Sequence, residues 1–334
     1  MDCEPEELQF LGIIGVYREA SKLIVSWRRL FSQISVSLIV PLSLLFLVHI
    51  QISYVLFSQI DRNEYALEHT AAGSPSQTRV LHRLSSEWSA FLLFKSIYLL
   101  TLLVFSLLST AAVVYTVASA YTAKHDLLLS YRKVLSVVPK VWRRLALTFL
   151  FAFLFLVSYN IIAIFVLVST ILIAGQNVIG IVIIIFLSLA YLVGLVWISV
   201  VWHLASVVSV LEEAYGLAAM RRSKDLVKGK MRIAATVFLK MNIAFIGIEL
   251  LFRRIVVVGE VSMSVRVVFA TAMLGFMSVV VLFALVAQTV LYFVCKSYHH
   301  ESIDKSALAD HLEVYLGEYL PLKEKDVQME QVNV

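Results

Sequence analysis

Charged residues and cysteine are scarce in this sequence of 334 residues. Only 15% of the residues are charged and 60% are hydrophobic, whereas a soluble domain has about 25% charged and about 45–50% apolar residues. The 2 cysteines, Cys3 and Cys295, lie near the start of the chain and at the end of the last apolar run. This placement gives no disulfide framework. The composition predicts a protein that crosses a membrane several times.

Motifs for catalysis and cofactor binding are also missing. The sequence has no phosphate-binding glycine loop, no catalytic serine elbow, no zinc-ligand pattern and no CxxC pair. We therefore predict no catalytic residue, no metal site, no cofactor and no enzymatic activity. One alternative is an acyltransferase, because His299 and Asp304 have the His-x-x-x-x-Asp spacing in which the histidine activates an acceptor hydroxyl. The phosphate-binding stretch expected downstream of that motif is absent.

Six apolar runs follow one another along the chain, and each can cross the hydrocarbon core, which takes about 20 helical residues. They cover residues 31–57, 90–120, 145–174, 178–211, 233–252 and 266–295. The prediction is an all-α polytopic membrane protein with six transmembrane helices. Its three parts are a cytosolic N-terminal segment with an amphipathic helix (1–30), a six-span membrane domain (31–295) and a cytosolic tail (296–334).

Two irregularities are predicted within the membrane domain. Pro41 lies inside the first run, where a missing backbone donor predicts a kink. The polar stretch 58–89 contains Gly73-Ser74-Pro75-Ser76 and is predicted to be a loop between the first two spans.

A basic segment precedes the first, third and fifth apolar runs. These segments cover Leu8–Leu30, Tyr121–Arg144 and Glu212–Arg232. We interpret the chain as three repeats of a basic interfacial helix followed by a membrane hairpin. With six spans, the side that carries these segments and the tail has 20 lysines and arginines, against 6 on the other side. This bias predicts cytosolic termini, in the endoplasmic reticulum or the plasma membrane.

The basic segments are the first candidate site. Lysine and arginine beside a span are attracted to anionic lipid by about 1 kcal/mol per residue near the surface. We predict a non-enzymatic membrane protein that binds anionic lipid, or a protein partner, through this face. The alternative is that the cations only orient and anchor the helices. Nucleic acid is not expected as a partner, because the clusters adjoin membrane spans. The candidate headgroup-binding residues are Arg28, Arg29, Arg132, Lys133, Arg143, Arg144, Arg221, Arg222, Lys224, Lys228, Lys230 and Arg232.

Polar residues inside the apolar runs are the second candidate site. Lys240, Asn242 and Glu249 lie in the fifth run, and ionisable groups are costly in hydrocarbon. They favour the alternative of a transporter or channel for a small solute or lipid. A local ion pair of Glu249 with Arg253, four residues later, is the competing interpretation. Lys95, near the start of the second run, is predicted to snorkel to the headgroups.

Two resemblances are carried by short motifs. Residues 216–230 contain Arg-Ser-x-x-Leu-x-x-Gly after a small-residue stretch, and this segment resembles bacterial YciC-like proteins and the membrane domain of some glycerophosphodiester phosphodiesterases. Over most of its length the chain resembles a plant family of uncharacterised six-span proteins, through Phe10–Gly15, Ser26–Phe31 and Ala309–Leu316. Some members of that family are labelled as binding a polyadenylate-binding protein. The resemblance implies a six-span membrane fold and no phosphodiesterase activity, since the catalytic domain is absent.

Overall fold

The computed structural model describes residues 7–70, 74–122, 131–174, 177–259 and 261–300. Within these ranges every regular element is helical, which confirms the predicted all-α class. A short 3-10 turn at Glu7–Phe10 precedes the helices. The helices are α1 (Ile13–Ser26), α2 (Arg28–Ile34), α3 (Val40–Glu68), α4 (Pro75–Thr122), α5 (Tyr131–Ala174), α6 (Val178–Leu211), α7 (Leu217–Val227), α8 (Met231–Phe252) and α9 (Met263–Tyr298).

Six helical segments in this part of the chain are long and apolar enough to cross a membrane. They are Arg28–Glu68, Pro75–Tyr121, Val141–Ile173, Val178–Leu211, Met231–Val257 and Met263–Tyr298. They follow the six predicted runs in order, and the predicted polytopic fold is confirmed. Several contain more than 30 residues, and crossing takes about 20, so their ends extend beyond the hydrocarbon.

The irregularity predicted at Pro41 is a wide helical turn. Residues Ser35–Ile39 form a π-helical segment between α2 and α3, in which the Val40 N–H donates to the Ser35 carbonyl. Proline has no N–H and its ring crowds the preceding turn. A π turn just before proline relieves that crowding while the helix continues through the membrane.

The stretch 58–89 is not the loop that its polar composition predicted. Helix α3 continues to Glu68, and α4 begins at Pro75. The Asn63 amide donates to both carboxylate oxygens of Glu87 at 2.7 Å. The two polar helix ends support each other across the hairpin, a contact between residues that are distant in sequence.

The three basic segments adopt different structures. The first forms α1, and the third forms the short helix α7. The second is continuous with its span, because α5 runs without a break from Tyr131 to Ala174 and contains Pro139. The predicted repeat therefore has one copy in which the basic helix and the span are a single helix.

One end of the bundle is closely packed. Of the nine helices in the described ranges, eight contribute to one cluster of buried apolar side chains, which includes Leu23, Tyr115, Leu145, Leu204 and Phe293. This end also carries α1, residues 131–144, α7 and Lys296, and we call it the basic end.

The opposite end is less tightly packed. A small cluster containing Leu47, Ile50, Phe252 and Met277 joins α3, α8 and α9 there. The hairpin of α5 and α6 is not part of it, and many of the apolar side chains near its turn, such as Ile173, are exposed. The hairpin therefore presents a broad apolar surface to lipid.

Gly229, in the turn between α7 and α8, provides a test of packing at the basic end. Its φ is +88°, and an added Cβ would lie 2.5 Å from a ring carbon of Tyr298. We predict that Gly229→Ala lowers the free energy of unfolding by at least about 1–2 kcal/mol, because left-handed backbone disfavours a Cβ. Thermal unfolding in detergent measures the change. Gly275→Ala is the matched control, since an added Cβ there meets nothing within 4 Å; equal effects of both substitutions would contradict the prediction.

Candidate functional site

Helix α7 is fixed along the end of α6 by hydrogen bonds. The N–H of Gly216, just before α7, donates to Thr148 Oγ1 at 2.8 Å, and the Thr148 and Ser209 hydroxyls are 2.7 Å apart. Further along α7, the Ser223 hydroxyl donates to the Val201 carbonyl at 2.8 Å. The start of α7 is thus bonded to α5, and the middle of α7 is bonded to α6.

The carboxylate of Glu212 joins three helices at the end of α6. Arg222 Nε of α7 lies 3.2 Å from Glu212 Oε2. From α9, the Tyr292 hydroxyl donates to Glu212 Oε1 at 2.6 Å, and Lys296 Nζ lies 3.9 Å from the same oxygen. The Glu212 side chain is only 19% exposed. A carboxylate so shielded from water needs these cations and donors to offset its desolvation.

The turn after α7 contacts both the N-terminal segment and the end of α9. Lys230 Nζ donates to the Gln9 carbonyl at 2.9 Å and lies 4.9 Å from the ring centre of Tyr298. His299 Nε2 lies 3.0 Å from the Leu226 carbonyl, a distance at which the ring nitrogen donates. His299 thus binds backbone of the same chain, and Asp304, its partner in the acyltransferase spacing, lies outside the described residues.

Most cations of the third basic segment therefore have partners within the protein. Besides Arg222 and Lys230, Lys224 lies 5.9 Å from the ring centre of Trp197. Lys228 Nζ donates to Asp225 Oδ1 at 2.6 Å, and this hydrogen bond lowers the pKa of Asp225. These four of the twelve candidate headgroup-binding residues contribute to internal contacts.

A second set of the candidate cations consists of six exposed arginines: Arg28, Arg29, Arg132, Arg143, Arg221 and Arg232. Across the described ranges, the side chains of these six arginines form no ion pair or hydrogen bond. Of the two remaining candidates, Arg144 is half-buried, and the side chain of Lys133 lies outside the described set.

The polar residues of the fifth span do not converge. Lys240 and Glu249 are nine residues apart, about 2.5 helical turns, which puts them on opposite faces of α8. Lys240 is exposed, and the Asn242 amide donates to the Phe238 carbonyl of its own helix at 2.9 Å. Glu249 is half-buried, and the local ion pair predicted with Arg253 is not formed.

Two polar contacts between the spans were not predicted as candidate sites from the sequence. His203 Nδ1 of α6 lies 3.1 Å from Gln288 Oε1 of α9. Lys95 Nζ of α4 lies 2.7 Å from His49 Nε2 of α3. Its ammonium, which the sequence predicted to snorkel to the headgroups, is held by the neighbouring helix α3. A histidine and a lysine in two adjacent apolar runs were the available signal, but their pairing needs the helix register.

Loss of the Glu212 charge tests the role of this carboxylate. We predict that Glu212→Gln lowers the free energy of unfolding by about 1–3 kcal/mol, because Arg222 and Lys296 lose their shared anion. Thermal unfolding in detergent at neutral pH measures the loss.

Asp225→Asn is the matched control for Glu212→Gln. It removes a carboxylate from a pair that is exposed on both sides, and exposed pairs contribute little. The lowered pKa of Asp225 means that whatever this pair contributes is present at neutral pH and is lost only as the pH falls through the folded-state pKa. A larger effect of the control would contradict the account.

Comparison with known proteins leads to a family but to no function. No curated protein and no solved structure matches the chain. A family model, described as a domain of unknown function (DUF8558), matches residues 1–332. Because this match covers nearly the whole chain, the protein belongs to the DUF8558 family.

Proposed function

We propose that this integral membrane protein is non-enzymatic and binds anionic lipid headgroups through its basic end. The observation that carries the proposal is the set of six exposed arginines that lack partners in the described part of the chain. Arginine matches the geometry of phosphate oxygens, to which its planar guanidinium can donate two parallel hydrogen bonds. An exposed guanidinium next to a span is well suited to a phospholipid headgroup.

The positions of these arginines support the proposal. Arg28 and Arg29 are the first two residues of the first membrane helix, Arg143 lies two residues after the start of the third span, and Arg232 is the second residue of the fifth. The start of a span at the basic end is where a side chain reaches the headgroup layer. Cations at these positions contact lipid without any rearrangement of the bundle.

Apolar side chains beside the arginines support a lipid surface as the ligand. On α1, Val16, Ala20 and Leu23 are buried against the bundle, while Ile14 is 83% and Val25 is 71% exposed. Ile14 and Val25 are eleven residues apart, close to three full turns, and so share the outer face of the helix. An outer face with apolar side chains beside cations is typical of helices that lie in a membrane interface.

We extend the proposal to orientation. The basic end faces the cytosol, in the endoplasmic reticulum or the plasma membrane, and both termini are cytosolic. Two general properties of membranes support this: cytosolic leaflets carry the anionic lipids, and lysine and arginine concentrate on the cytosolic side of membrane proteins. A protein partner at the same face is the alternative ligand. The transporter alternative has less support, because Lys240 and Glu249 lie on opposite faces of α8.

Neutralising four of the exposed arginines tests lipid binding. The variant Arg28→Gln, Arg29→Gln, Arg221→Gln, Arg232→Gln removes charges that each attract anionic lipid by about 1 kcal/mol near the surface. The selectivity for spin-labelled phosphatidylserine over phosphatidylcholine, measured by electron paramagnetic resonance in phosphatidylcholine proteoliposomes, should fall at least about fivefold. The selectivity of the unaltered protein should also weaken as salt is raised.

The control removes four exposed arginines from the opposite end, at Arg62, Arg83, Arg253 and Arg254. It makes the same change in net charge and should keep most of the selectivity. Equal losses in both variants would show a general effect of charge. No loss in either variant would exclude the basic end as a lipid site.

A further inference from the structure

A polar cluster lies between α3, α4 and α8, within the membrane and away from the basic end. Lys95 Nζ is 2.7 Å from His49 Nε2 and 3.1 Å from Ser53 Oγ. The ring of His49 stacks on that of Tyr98, with 3.6 Å between the ring centres. Glu249 of α8 lies within electrostatic range of Tyr98 but forms no ion pair with Lys95. The cluster thus holds an ammonium group fixed by neutral partners.

The hydrogen bonds of this cluster leave donors unused. An ammonium group can only donate, so His49 Nε2 accepts and the proton of the neutral imidazole is on Nδ1. That Nδ1 atom is buried and, among the described residues, has no partner. Lys95 has three N–H groups, of which two are directed at His49 and Ser53. For the third, the described part of the chain provides no oxygen or nitrogen acceptor, only the face of the Phe91 ring, whose centre lies 5.1 Å from Nζ. The groups without an oxygen or nitrogen acceptor are therefore both donors, the Nδ1–H of His49 and one N–H of the Lys95 ammonium, and they lie beside a positive charge.

The depth of Lys95 limits what can reach it. Lys95 lies five residues inside an apolar run that starts at residue 90, about 7.5 Å below the end of that run. It is half-buried, and its neighbours Leu92 and Leu93 are exposed on the surface of α4. The side chain of Lys95 is therefore partly exposed on α4, and its depth in the predicted run puts it near the headgroups of the leaflet opposite the basic end.

We infer that the Lys95 cluster binds the anionic oxygen of a lipid, either a phosphate or a carboxylate, from the leaflet opposite the basic end. An anion would neutralise a cation that is otherwise costly at this depth, and would accept the remaining ammonium N–H in a charge-assisted hydrogen bond. Acyl chains would lie on the exposed apolar side chains of α4. This site is independent of the proposed function, because it uses none of the exposed arginines.

The test uses the four-arginine variant as background, so that lipid at the basic end does not obscure the second site. In an uncharged detergent, this protein is titrated with oleate and, separately, with dioleoyl phosphatidate, and binding is followed by isothermal titration calorimetry. We expect one saturable site for at least one of these lipids. Adding Lys95→Met should weaken that binding at least about tenfold, because one charge-assisted hydrogen bond is lost.

Lys240→Met in the same background is the matched control. Lys240 is also an intramembrane lysine, but it is exposed on α8, and its loss should leave the affinity unchanged. Lys95→Arg keeps the charge and should retain most of the binding. Equal affinity after Lys95→Met, or no saturable binding of either lipid to the background protein, would overturn the inference.

The ligands also identify the source of the anion. Tighter binding of oleate indicates a fatty-acid carboxylate, and tighter binding of phosphatidate indicates a phospholipid. Titration with inorganic phosphate completes the set. If it binds at Lys95 as tightly as phosphatidate does, the acyl chains contribute nothing, and the inference of a lipid ligand is overturned.

Discussion

The carboxylate of Glu212 is the contact on which the arrangement of the basic end depends. It ends α6, accepts from Arg222 of α7 and Tyr292 of α9, and lies near Lys296. A shielded carboxylate without partners costs several kcal/mol. Once it is paired, α7 is held against α6 and α9, and the turn after α7 reaches the N-terminal segment through Lys230 and Gln9.

This arrangement divides the cations of the basic end into two groups. Arg222, Lys228 and Lys230 are used in contacts within the chain, while residues such as Arg28 and Arg232 are exposed beside the spans. The first group stabilises the end of the bundle and gives it a fixed shape. The second group can then present its charges at defined positions, which is what the proposed lipid binding requires.

The two ends of the bundle differ in packing. At the basic end, buried apolar side chains from many helices pack together, whereas the hairpin of α5 and α6 has exposed apolar side chains towards its turn.

Hydrogen bonds join the two helices of that hairpin. The Tyr191 hydroxyl donates to Asn160 Oδ1 at 2.9 Å, and the Tyr159 hydroxyl donates to the Tyr191 carbonyl at 3.0 Å. A groove of about 550 Å³ beside these residues is lined mostly by apolar side chains. Interhelical hydrogen bonds of this kind hold the two helices together where lipid surrounds them.

The sequence predicted the six spans because long apolar runs have few alternatives to a membrane helix. From its polar composition, the sequence predicted the stretch 58–89 as a loop. The helical structure there is supported by the contact between Asn63 and Glu87, which are 24 positions apart, and no local pattern reveals such a contact. The division of the cations was not predictable either, because Glu212, Trp197 and Gln9 come from other parts of the chain. Likewise, His49 and Lys95 are 46 residues apart, and only the register of α3 and α4 brings them together.

The most direct test of the central claim is the side of the membrane that the basic end faces. In a background without cysteine (Cys3→Ser, Cys295→Ala), single cysteines replace Ser26 at the basic end and Ser76 at the opposite end, both of which are exposed. Sealed vesicles with the cytosolic side outward are treated with a membrane-impermeant maleimide. The account predicts that Ser26→Cys is labelled at once and Ser76→Cys only after detergent is added. The reverse pattern would contradict it, because the exposed arginines would then face away from the anionic cytosolic leaflet.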